Sequence, residues 1–299
     1  MTVVVTGATG GAGSRIVEEL ATAGREVVGV DLERPPNPRE SDATFLEADL
    51  TDQGQAWEAI QTAEPDAVVH FAAIPRPGIT TDAETFMTNV SSAYHVLEAA
   101  GRAGADVVWA SSESIYGSVF AAEPWLPDYL PVDESHPRRP ADPYATSKLV
   151  GEELGAMAAR KHGISVISIR PSWITYSGEQ RTAAARERFD PETAEKSGNF
   201  WTYVDVRDVV SMVRAALEAD RDGHDVYLAA AAENFLGRPT ADVIETVFGE
   251  LPGECDLEGD ESAFTTAKAR AELGWEPAHS WREAELEEPC KPAFLRSDG

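Results

Sequence analysis

Short apolar runs alternate with helical patterns through the first 170 residues of the chain. The runs have the length and β-branched content of buried strands; they are TVVVT (2–6), EVVGV (26–30), TFLEA (44–48), DAVVHFAA (66–73), ADVVWASS (105–112) and ISVISIR (164–170). Between them, apolar residues at helical spacing begin near Gly11, Asp52, Thr81 and Tyr144. This alternation is typical of an α/β fold, so we predict a Rossmann-type doubly wound parallel sheet.

Four glycines stand close together in the first loop, TGATGGAG, which runs from Thr6 to Gly13. The loop lies between the first apolar run and a helical pattern in which Ile16, Val17 and Leu20 share one face. In a strand-to-helix turn, glycines let backbone N–H groups and the helix N-terminus approach a pyrophosphate. We therefore predict a dinucleotide site, and we place these loop residues against the cofactor: Gly7, Thr9, Gly10, Gly11, Ala12 and Gly13.

An acid, Asp31, follows the second apolar run, about 20 residues beyond the loop. A carboxylate there accepts hydrogen bonds from the adenosine ribose and repels a 2′-phosphate, which favours NAD over NADP. Arg34 stands three residues further on and leaves NADP as the alternative, because a guanidinium can hold a phosphate. We place Asp31 and the neighbouring Leu32 at the adenosine end of the cofactor.

Beyond Arg170 the alternation gives way to a more polar stretch. A helical pattern returns near 206–220, a strand-like run near 225–230, and further helical segments at 238–248 and 265–274. We predict a dinucleotide-binding Rossmann domain at 1–170 and a small substrate-binding lobe at 171–299, whose helix near 206–220 and strand near 225–230 return to the Rossmann core. Open α/β sheets bind ligands at the carboxyl ends of their strands, so we expect the lobe to cover that edge.

The chain is strongly acidic, with a net charge of −27 from 52 acids and 25 bases. This charge opposes binding to nucleic acid and to anionic membranes, so neither is predicted as a partner. Only 5 of the bases are lysines, which favours a protein adapted to concentrated salt, with an ordinary acidic protein as the alternative. No apolar stretch approaches the roughly 20 residues of a membrane helix, and the first strand follows Met1 directly, so we expect a cytoplasmic protein.

Cysteine and histidine usage predicts neither a disulfide framework nor a metal site. Cys255 and Cys290 form no CxxC motif, and the six histidines show no ligand spacing. His70 ends a predicted buried strand, and we interpret it as a core residue.

Tyr144 and Lys148 in DPYATSK stand four residues apart near the start of a predicted helix, and therefore on one face of it. A phenol with an ordinary pKa near 10 must lose its proton to act as a base. A neighbouring ammonium favours that loss, and the positive nicotinamide of an oxidised cofactor adds to the effect. Ser111 and Ser112 follow the fifth apolar run, where a hydroxyl faces a ligand, so we predict that Ser112 holds the substrate oxygen whose proton Tyr144 takes.

Together these motifs resemble the extended short-chain dehydrogenase/reductase family, which includes nucleotide-sugar epimerases and dehydratases and some sugar dehydrogenases. The resemblance rests on TGxxGxxG, EADLTD, HFAA, TNVSSAYHVLEAA, SSESIYG, YxxxK and TTAKARAELGWEP. It implies catalytic roles for Ser112, Tyr144, Lys148 and Asn89, with Lys148 binding the nicotinamide ribose and lowering the pKa of the phenol. It also implies a set of cofactor contacts beyond the glycine loop, from Asp49, Leu50, Phe71, Ala72, Ala73, Asn89, Tyr144, Lys148 and Pro171.

One segment departs from the family pattern. Where nucleotide-sugar members carry a substrate-contacting asparagine after the sixth strand, this chain has Trp173 in RPSWITYSG. An indole has an apolar face and one donor, so it suits stacking on a bare sugar ring better than holding a diphosphate. Glu113 is a second candidate for the sugar pocket, with a solvated surface acid as the alternative. The predicted substrate contacts are Ile74, Ser112, Glu113, Tyr144 and Trp173.

These features predict an enzyme that oxidises the C1 hydroxyl of a free aldose or uronic acid to a lactone with NAD. One alternative is a nucleotide-sugar 4-epimerase or dehydratase that retains its NAD. The other is a non-catalytic NAD-binding sensor, which the intact Tyr144/Lys148 pair disfavours. The resemblance also implies a homodimer that pairs the helices beginning near Thr81 and Tyr144.

Overall fold

A seven-stranded parallel sheet forms the centre of the protein, whose computed structural model describes residues 1–296. Its strand order is β3-β2-β1-β4-β5-β6-β9, and every neighbouring pair is parallel. The strands, including the small β7–β8 pair beside the main sheet, have these bounds: β1 Thr2–Thr6, β2 Glu26–Asp31, β3 Thr44–Glu47, β4 Ala67–His70, β5 Asp106–Ala110, β6 Val166–Pro171, β7 Ile174–Thr175, β8 Val204–Asp205 and β9 His224–Ala229. The predicted doubly wound parallel sheet is thereby confirmed.

Helices cover both faces of this sheet. Their bounds are α1 Gly11–Thr22, α2 Gln53–Ala63, α3 Asp82–Ala103, α4 Pro143–His162, α5 Arg181–Glu187, α6 Val206–Glu218, α7 Thr240–Phe248, α8 Ala267–Leu273 and α9 Trp281–Ala284. Helices α1 and α6 pack on one face, and α2, α3 and α4 pack on the other. Because both faces are covered, Val3, Val4 and Val5 of β1 are all buried, which explains a continuous apolar run in place of alternation.

Helix α4 begins at a well-defined point. The side chain of Asp142 caps it by accepting a 2.8 Å hydrogen bond from the backbone N–H of Ala145, and Pro143 occupies the first helical position. Tyr144 therefore lies in the first turn of α4, and Lys148 lies one turn further on. This local sequence sets where the two side chains project from the helix.

The segments after Arg170 contribute to two parts of the fold. Helix α6 packs against α1, and β9 pairs with β6 at the edge of the main sheet. Other segments build a separate apolar cluster beyond the strand ends, and this cluster also includes Leu130 and Val132 from the loop before α4. Segments before and after residue 170 thus contribute to both parts. The predicted domain boundary at residue 170 stays a prediction.

Within residues 1–296, no helix has the length and apolar character needed to cross a membrane.

Candidate active site

Two openings lie at the carboxyl ends of the strands. The first, which we call the groove, has a volume of about 490 Å³ and follows the glycine loop past the ends of β1, β2 and β4. The second, which we call the cavity, has a volume of about 1030 Å³ and extends beyond the ends of β5 and β6. Tyr144 and Tyr176 line both, so the two openings meet at these side chains.

The groove brings together the residues predicted to contact the cofactor, with the exception of Asn89. Its lining includes Gly7, Thr9, Gly10, Gly11, Ala12, Gly13, Asp31, Leu32, Asp49, Leu50, Phe71, Ala72, Ala73, Tyr144, Lys148 and Pro171. These residues come from the ends of separate strands and from α4, so only the folded sheet places them side by side.

The glycine loop has the shape of a diphosphate cradle. Gly7 has a φ of +70°, which favours glycine, and a Cβ atom on Gly13 would lie 2.0 Å from the carbonyl oxygen of Gly7. Gly10 caps α1 without a side chain, and the first turn carries no acid, so the helix N-terminus presents its N–H groups and partial positive charge to the groove. These residues fit a dinucleotide.

Asp31 is held at the far end of the groove by three hydrogen bonds. One carboxylate oxygen accepts from the backbone N–H of Thr9 at 2.8 Å and from its hydroxyl at 2.7 Å, and the other accepts from the N–H of Leu32 at 2.8 Å. Arg34 pairs with Glu47 at 3.8 Å and does not line the groove. The negative group therefore faces the ribose position while the guanidinium lies elsewhere, an arrangement that favours NAD.

Lys148 is buried, and no carboxylate among residues 1–296 pairs with it. Its Nζ donates a 2.7 Å hydrogen bond to the carbonyl of Ala110 and lies 5.6 Å from the ring centroid of Tyr144. Burial lowers the pKa of Lys148 to about 7 and raises the pKa of Tyr144 to about 12, although the Ser112 hydroxyl opposes the second shift. Burial is the largest cause acting on the phenol, and the expectation that Lys148 lowers its pKa stays a prediction.

The two serines after β5 face different openings. Ser112 lines the cavity and accepts a 3.1 Å hydrogen bond from the N–H of Ser114 at the start of a 3-10 turn. Ser111 lines the groove and donates a 2.6 Å hydrogen bond to Glu152 of α4. Glu152 also accepts two 2.8 Å hydrogen bonds from Arg170 of β6, and both charged side chains are buried. This network joins α4 to the ends of β5 and β6.

Asn89 lines neither opening. Its side chain accepts from the N–H of Ile74 at 2.8 Å and donates to the carbonyl of Ile74 at 3.1 Å and to Ser147 at 3.2 Å. In this structure Asn89 positions the loop after β4, because its amide is fully used by those partners. Ile74 itself lines the groove and not the cavity, which places it nearer the cofactor than the predicted substrate position.

His70 is a core residue, as its place at the end of a strand suggested. Its Nδ1 lies 2.7 Å from the Thr6 hydroxyl, and burial lowers its pKa to about 3. Within residues 1–296, no group of three or more histidine, cysteine, aspartate or glutamate side chains is placed to hold a metal ion.

Glu113 is a buried acid at the cavity wall, and not the solvated surface acid that was the alternative. The Thr202 hydroxyl donates to its carboxylate at 3.4 Å, and hydrogen bonds from Ser172 and from the backbone of Trp173 also favour the charged form. Burial outweighs these contacts and raises the pKa of Glu113 to about 8. At neutral pH the group is therefore mostly a neutral carboxyl that can both donate and accept.

Trp173 lines the cavity, with its ring centroid 5.4 Å from that of Phe235 and the two ring planes at 72°. Among residues 1–296, its indole N–H has no hydrogen-bond acceptor, so one donor and an apolar face remain available to a ligand. Arg181 also lines the cavity and pairs with Glu179 at 2.6 Å, whereas Arg186 pairs with Glu285 at 2.6 Å and stacks on Trp281. The arginines after Trp173 thus do not act as one cluster.

Several residues of the cavity were missed by sequence reasoning. They are Arg15, Arg76, Phe120, Ser172, Tyr176 and Asn199. Tyr176 stands three residues after Trp173 in RPSWITYSG, and Arg15 stands one helical turn after Gly11, so nearness to recognised motifs could have indicated both. Phe120 packs edge-on against Tyr144 with ring centroids 5.9 Å apart, but its loop carries no sequence signal.

The model of the NAD dependent epimerase/dehydratase family matches residues 3–230. The chain belongs to this family. The match confirms the resemblance stated from the motifs, and it confirms NAD as the cofactor.

Similar proteins include both dehydrogenases and epimerases. An L-arabinose 1-dehydrogenase (NAD(P)(+)) from Haloferax volcanii is 33% identical over 196 residues, which cover 64% of this chain and 72% of that protein. A UDP-glucose 4-epimerase from Lactobacillus helveticus is 25% identical over 317 aligned positions, covering 93% of each chain. The crystal structure of a UDP-galactose 4-epimerase superposes with a TM-score of 0.68 at 26% identity, covering 95% of this chain and 96% of that one.

The raised pKa of Glu113 predicts a pH-dependent loss of stability that Glu113→Gln removes. The folded carboxyl titrates near pH 8 instead of 4.5, so between these pH values the unfolded chain loses this proton while the folded chain keeps it, and stability falls as pH rises. The difference in unfolding free energy between Glu113→Gln and the parent should therefore shift in favour of the variant by a few kcal/mol from pH 5 to pH 8.5, at about 1.4 kcal/mol per pKa unit. Urea unfolding at both pH values measures the difference.

The matched control is Glu123→Gln, which changes an exposed acid of the loop before α4 and should show no such trend. A constant difference between Glu113→Gln and the parent across this pH range would contradict the assignment of a neutral buried carboxyl.

Proposed function

We propose that this chain oxidises the C1 hydroxyl of a free aldose or uronic acid to a lactone, with NAD as the hydride acceptor. In this reaction the sugar occupies the cavity and the dinucleotide occupies the groove. C1 of the sugar lies where the two openings meet, beside Tyr144.

The observation that carries this proposal is Trp173 in the cavity wall. Its apolar face suits the C–H face of a sugar ring, and its indole N–H is available to one sugar oxygen. A diphosphate would need several donors at this position, and an indole provides one. Glu113 and Ser172, on the same wall, add polar groups suited to sugar hydroxyls.

In the proposed reaction Tyr144 Oη takes the proton of the C1 hydroxyl while Ser112 holds the same oxygen by a hydrogen bond. The C–H bond at C1 then breaks, and C1 becomes the carbonyl carbon of the lactone. NAD supplies the hydride acceptor and, through its positive ring, a charge that lowers the pKa of Tyr144. Lys148 holds the ribose hydroxyls with the N–H groups that its bond to Ala110 leaves unused.

Similarity to the Haloferax volcanii L-arabinose 1-dehydrogenase supports a free aldose as the substrate class. That relative is named for NAD and NADP together, whereas here the pairing of Arg34 with Glu47 supports NAD.

A nucleotide-sugar 4-epimerase that retains its NAD is the second candidate. The cavity of about 1030 Å³ offers more space than a monosaccharide fills, and its lining includes Arg15, Arg76 and Arg181, which suit a diphosphate. The Lactobacillus helveticus relative and the superposed UDP-galactose 4-epimerase support this candidate. A sensor without catalysis has no such support, since Tyr144 lines both openings, Ser112 lines the cavity and Lys148 lines the groove.

We further propose that two copies of the chain pair through α3 and α4. The side chain of Met87 on α3 is 59% exposed, whereas Leu149 and Leu154 of α4 pack in part against the core clusters and offer less to a partner. Light scattering should then give twice the 32.2 kDa of one chain, and a mass of one chain would contradict the pairing.

Tyr144→Phe should keep the fold and NAD binding but lose turnover by at least about 100-fold, the lower end of a general acid–base contribution. Initial rates with the best substrate, together with a calorimetric titration of NAD, measure both effects. The matched control is Tyr94→Phe on α3, whose side chain is 39% exposed and lines neither opening. Near-normal turnover of Tyr144→Phe would rule out the phenol as the base.

A panel of free aldoses, uronic acids and UDP-sugars should separate the two candidate reactions. A dehydrogenase must release reduced cofactor, so we expect NADH absorbance to grow with multiple turnovers for a free sugar. An epimerase must keep its cofactor between two hydride transfers. Interconversion of UDP-sugars without net NADH formation, by protein purified with NAD bound, would overturn the dehydrogenase proposal.

A further inference from the structure

Tyr176 lies against the glycine loop at Gly11. A Cβ atom on Gly11 would lie 2.0 Å from the phenol oxygen and 2.7 Å from Cζ. Gly11 is the first residue of α1, a position whose backbone conformation suits any residue. The contact with Tyr176, and not the path of the backbone, therefore explains why the third glycine of TGATGGAG, Gly11, is needed.

The Tyr176 side chain is fixed in place but its hydroxyl is not used by the protein. Tyr176 directly follows β7, which pairs with β8, and the guanidinium of Arg181 lies 5.2 Å from the centroid of its ring. Among residues 1–296, no hydrogen bond reaches the hydroxyl, and the side chain lines both the groove and the cavity. A fixed phenol whose hydroxyl makes no hydrogen bond within residues 1–296 indicates a ligand with a hydrogen-bond acceptor at this position.

The surroundings of this hydroxyl favour an anion. It lies beside the uncapped N-terminus of α1, whose first turn contains no acid. Arg15, one helical turn after Gly11, lines the cavity on the same side, and its partner Glu18 is 3.7 Å away. Burial raises the pKa of Tyr176, so the phenol keeps its proton and remains a donor. Each guanidinium here also has a carboxylate nearby, Glu18 for Arg15 and Glu179 for Arg181 at 2.6 Å, so part of their charge is offset and the helix N-terminus adds to what remains.

We propose that the Tyr176 hydroxyl donates a hydrogen bond to the diphosphate of the bound dinucleotide, with Arg15 and Arg181 contributing positive charge beside it. Tyr176 is then a cofactor-binding residue outside the glycine loop, beside the N-terminus of α1. The proposal rests on the family's dinucleotide cofactor and not on which sugar the cavity takes, so it stands or fails separately from the proposed reaction.

Tyr176→Phe tests the proposal, because it removes the hydroxyl and keeps the ring that packs on Gly11. Isothermal titration of the full chain with ADP-ribose, which carries the diphosphate, should show a dissociation constant about tenfold higher than in the parent, as expected for loss of a hydrogen bond to a charged group. Titration with adenosine, which lacks the diphosphate, should show no change. The affinity of Tyr176→Phe for NAD should fall by the same factor as its affinity for ADP-ribose.

Tyr94→Phe is the matched control and should bind all three compounds as the parent does. Equal thermal unfolding midpoints for Tyr176→Phe and the parent show that the comparison concerns binding and not folding. Unchanged binding of ADP-ribose by Tyr176→Phe would overturn the proposal. Tighter binding would also overturn it, since the hydroxyl would then be an obstacle in the diphosphate position. An equal weakening of adenosine would assign the effect to the adenosine end and contradict a diphosphate contact.

Discussion

The buried ion pair between Glu152 and Arg170 is the contact on which the geometry of the site depends. It joins α4 to the end of β6, and through Ser111 the same carboxylate reaches the end of β5. Removing one partner of such a pair typically costs about 3–5 kcal/mol, because the other charge is left buried and unpaired. With α4 held here, Lys148 reaches the carbonyl of Ala110, and Tyr144 lies at the junction of the groove and the cavity.

Burial is the common cause of the unusual titration of the site. It raises the pKa of Tyr144 to about 12 and of Glu113 to about 8, and it lowers the pKa of Lys148 to about 7. Each shift favours the neutral form, so the protein alone keeps its phenol protonated. In the proposed reaction, the positive charge of an oxidised cofactor would favour loss of the phenol proton at neutral pH.

Local sequence was enough to predict most of the fold and the groove. The apolar run TVVVT, the glycine loop and the Asp142–Pro143 helix start are each encoded by neighbouring residues, so a single sequence reveals them. Contacts between distant segments were not predictable in this way. The side-chain amide of Asn89 hydrogen-bonds to Ile74. Tyr176 packs on Gly11, although more than half of the chain's length separates them in sequence. Burial, which raises the pKa of the phenol, was likewise not predictable, since the sequence shows charges but not how deeply they lie.

We propose that a free sugar passes hydride from C1 to NAD at the junction where Tyr144 lies. The most direct measurement uses an aldose or uronic acid labelled with deuterium at C1, with mass spectrometry of both products. We expect one deuterium in each NADH released, an unlabelled lactone in equal amount, and a slower rate than with the unlabelled sugar. Two results together would contradict this reaction: the free sugar keeps its deuterium while NAD stays unreduced, and a UDP-sugar is instead inverted at C4 by the same protein.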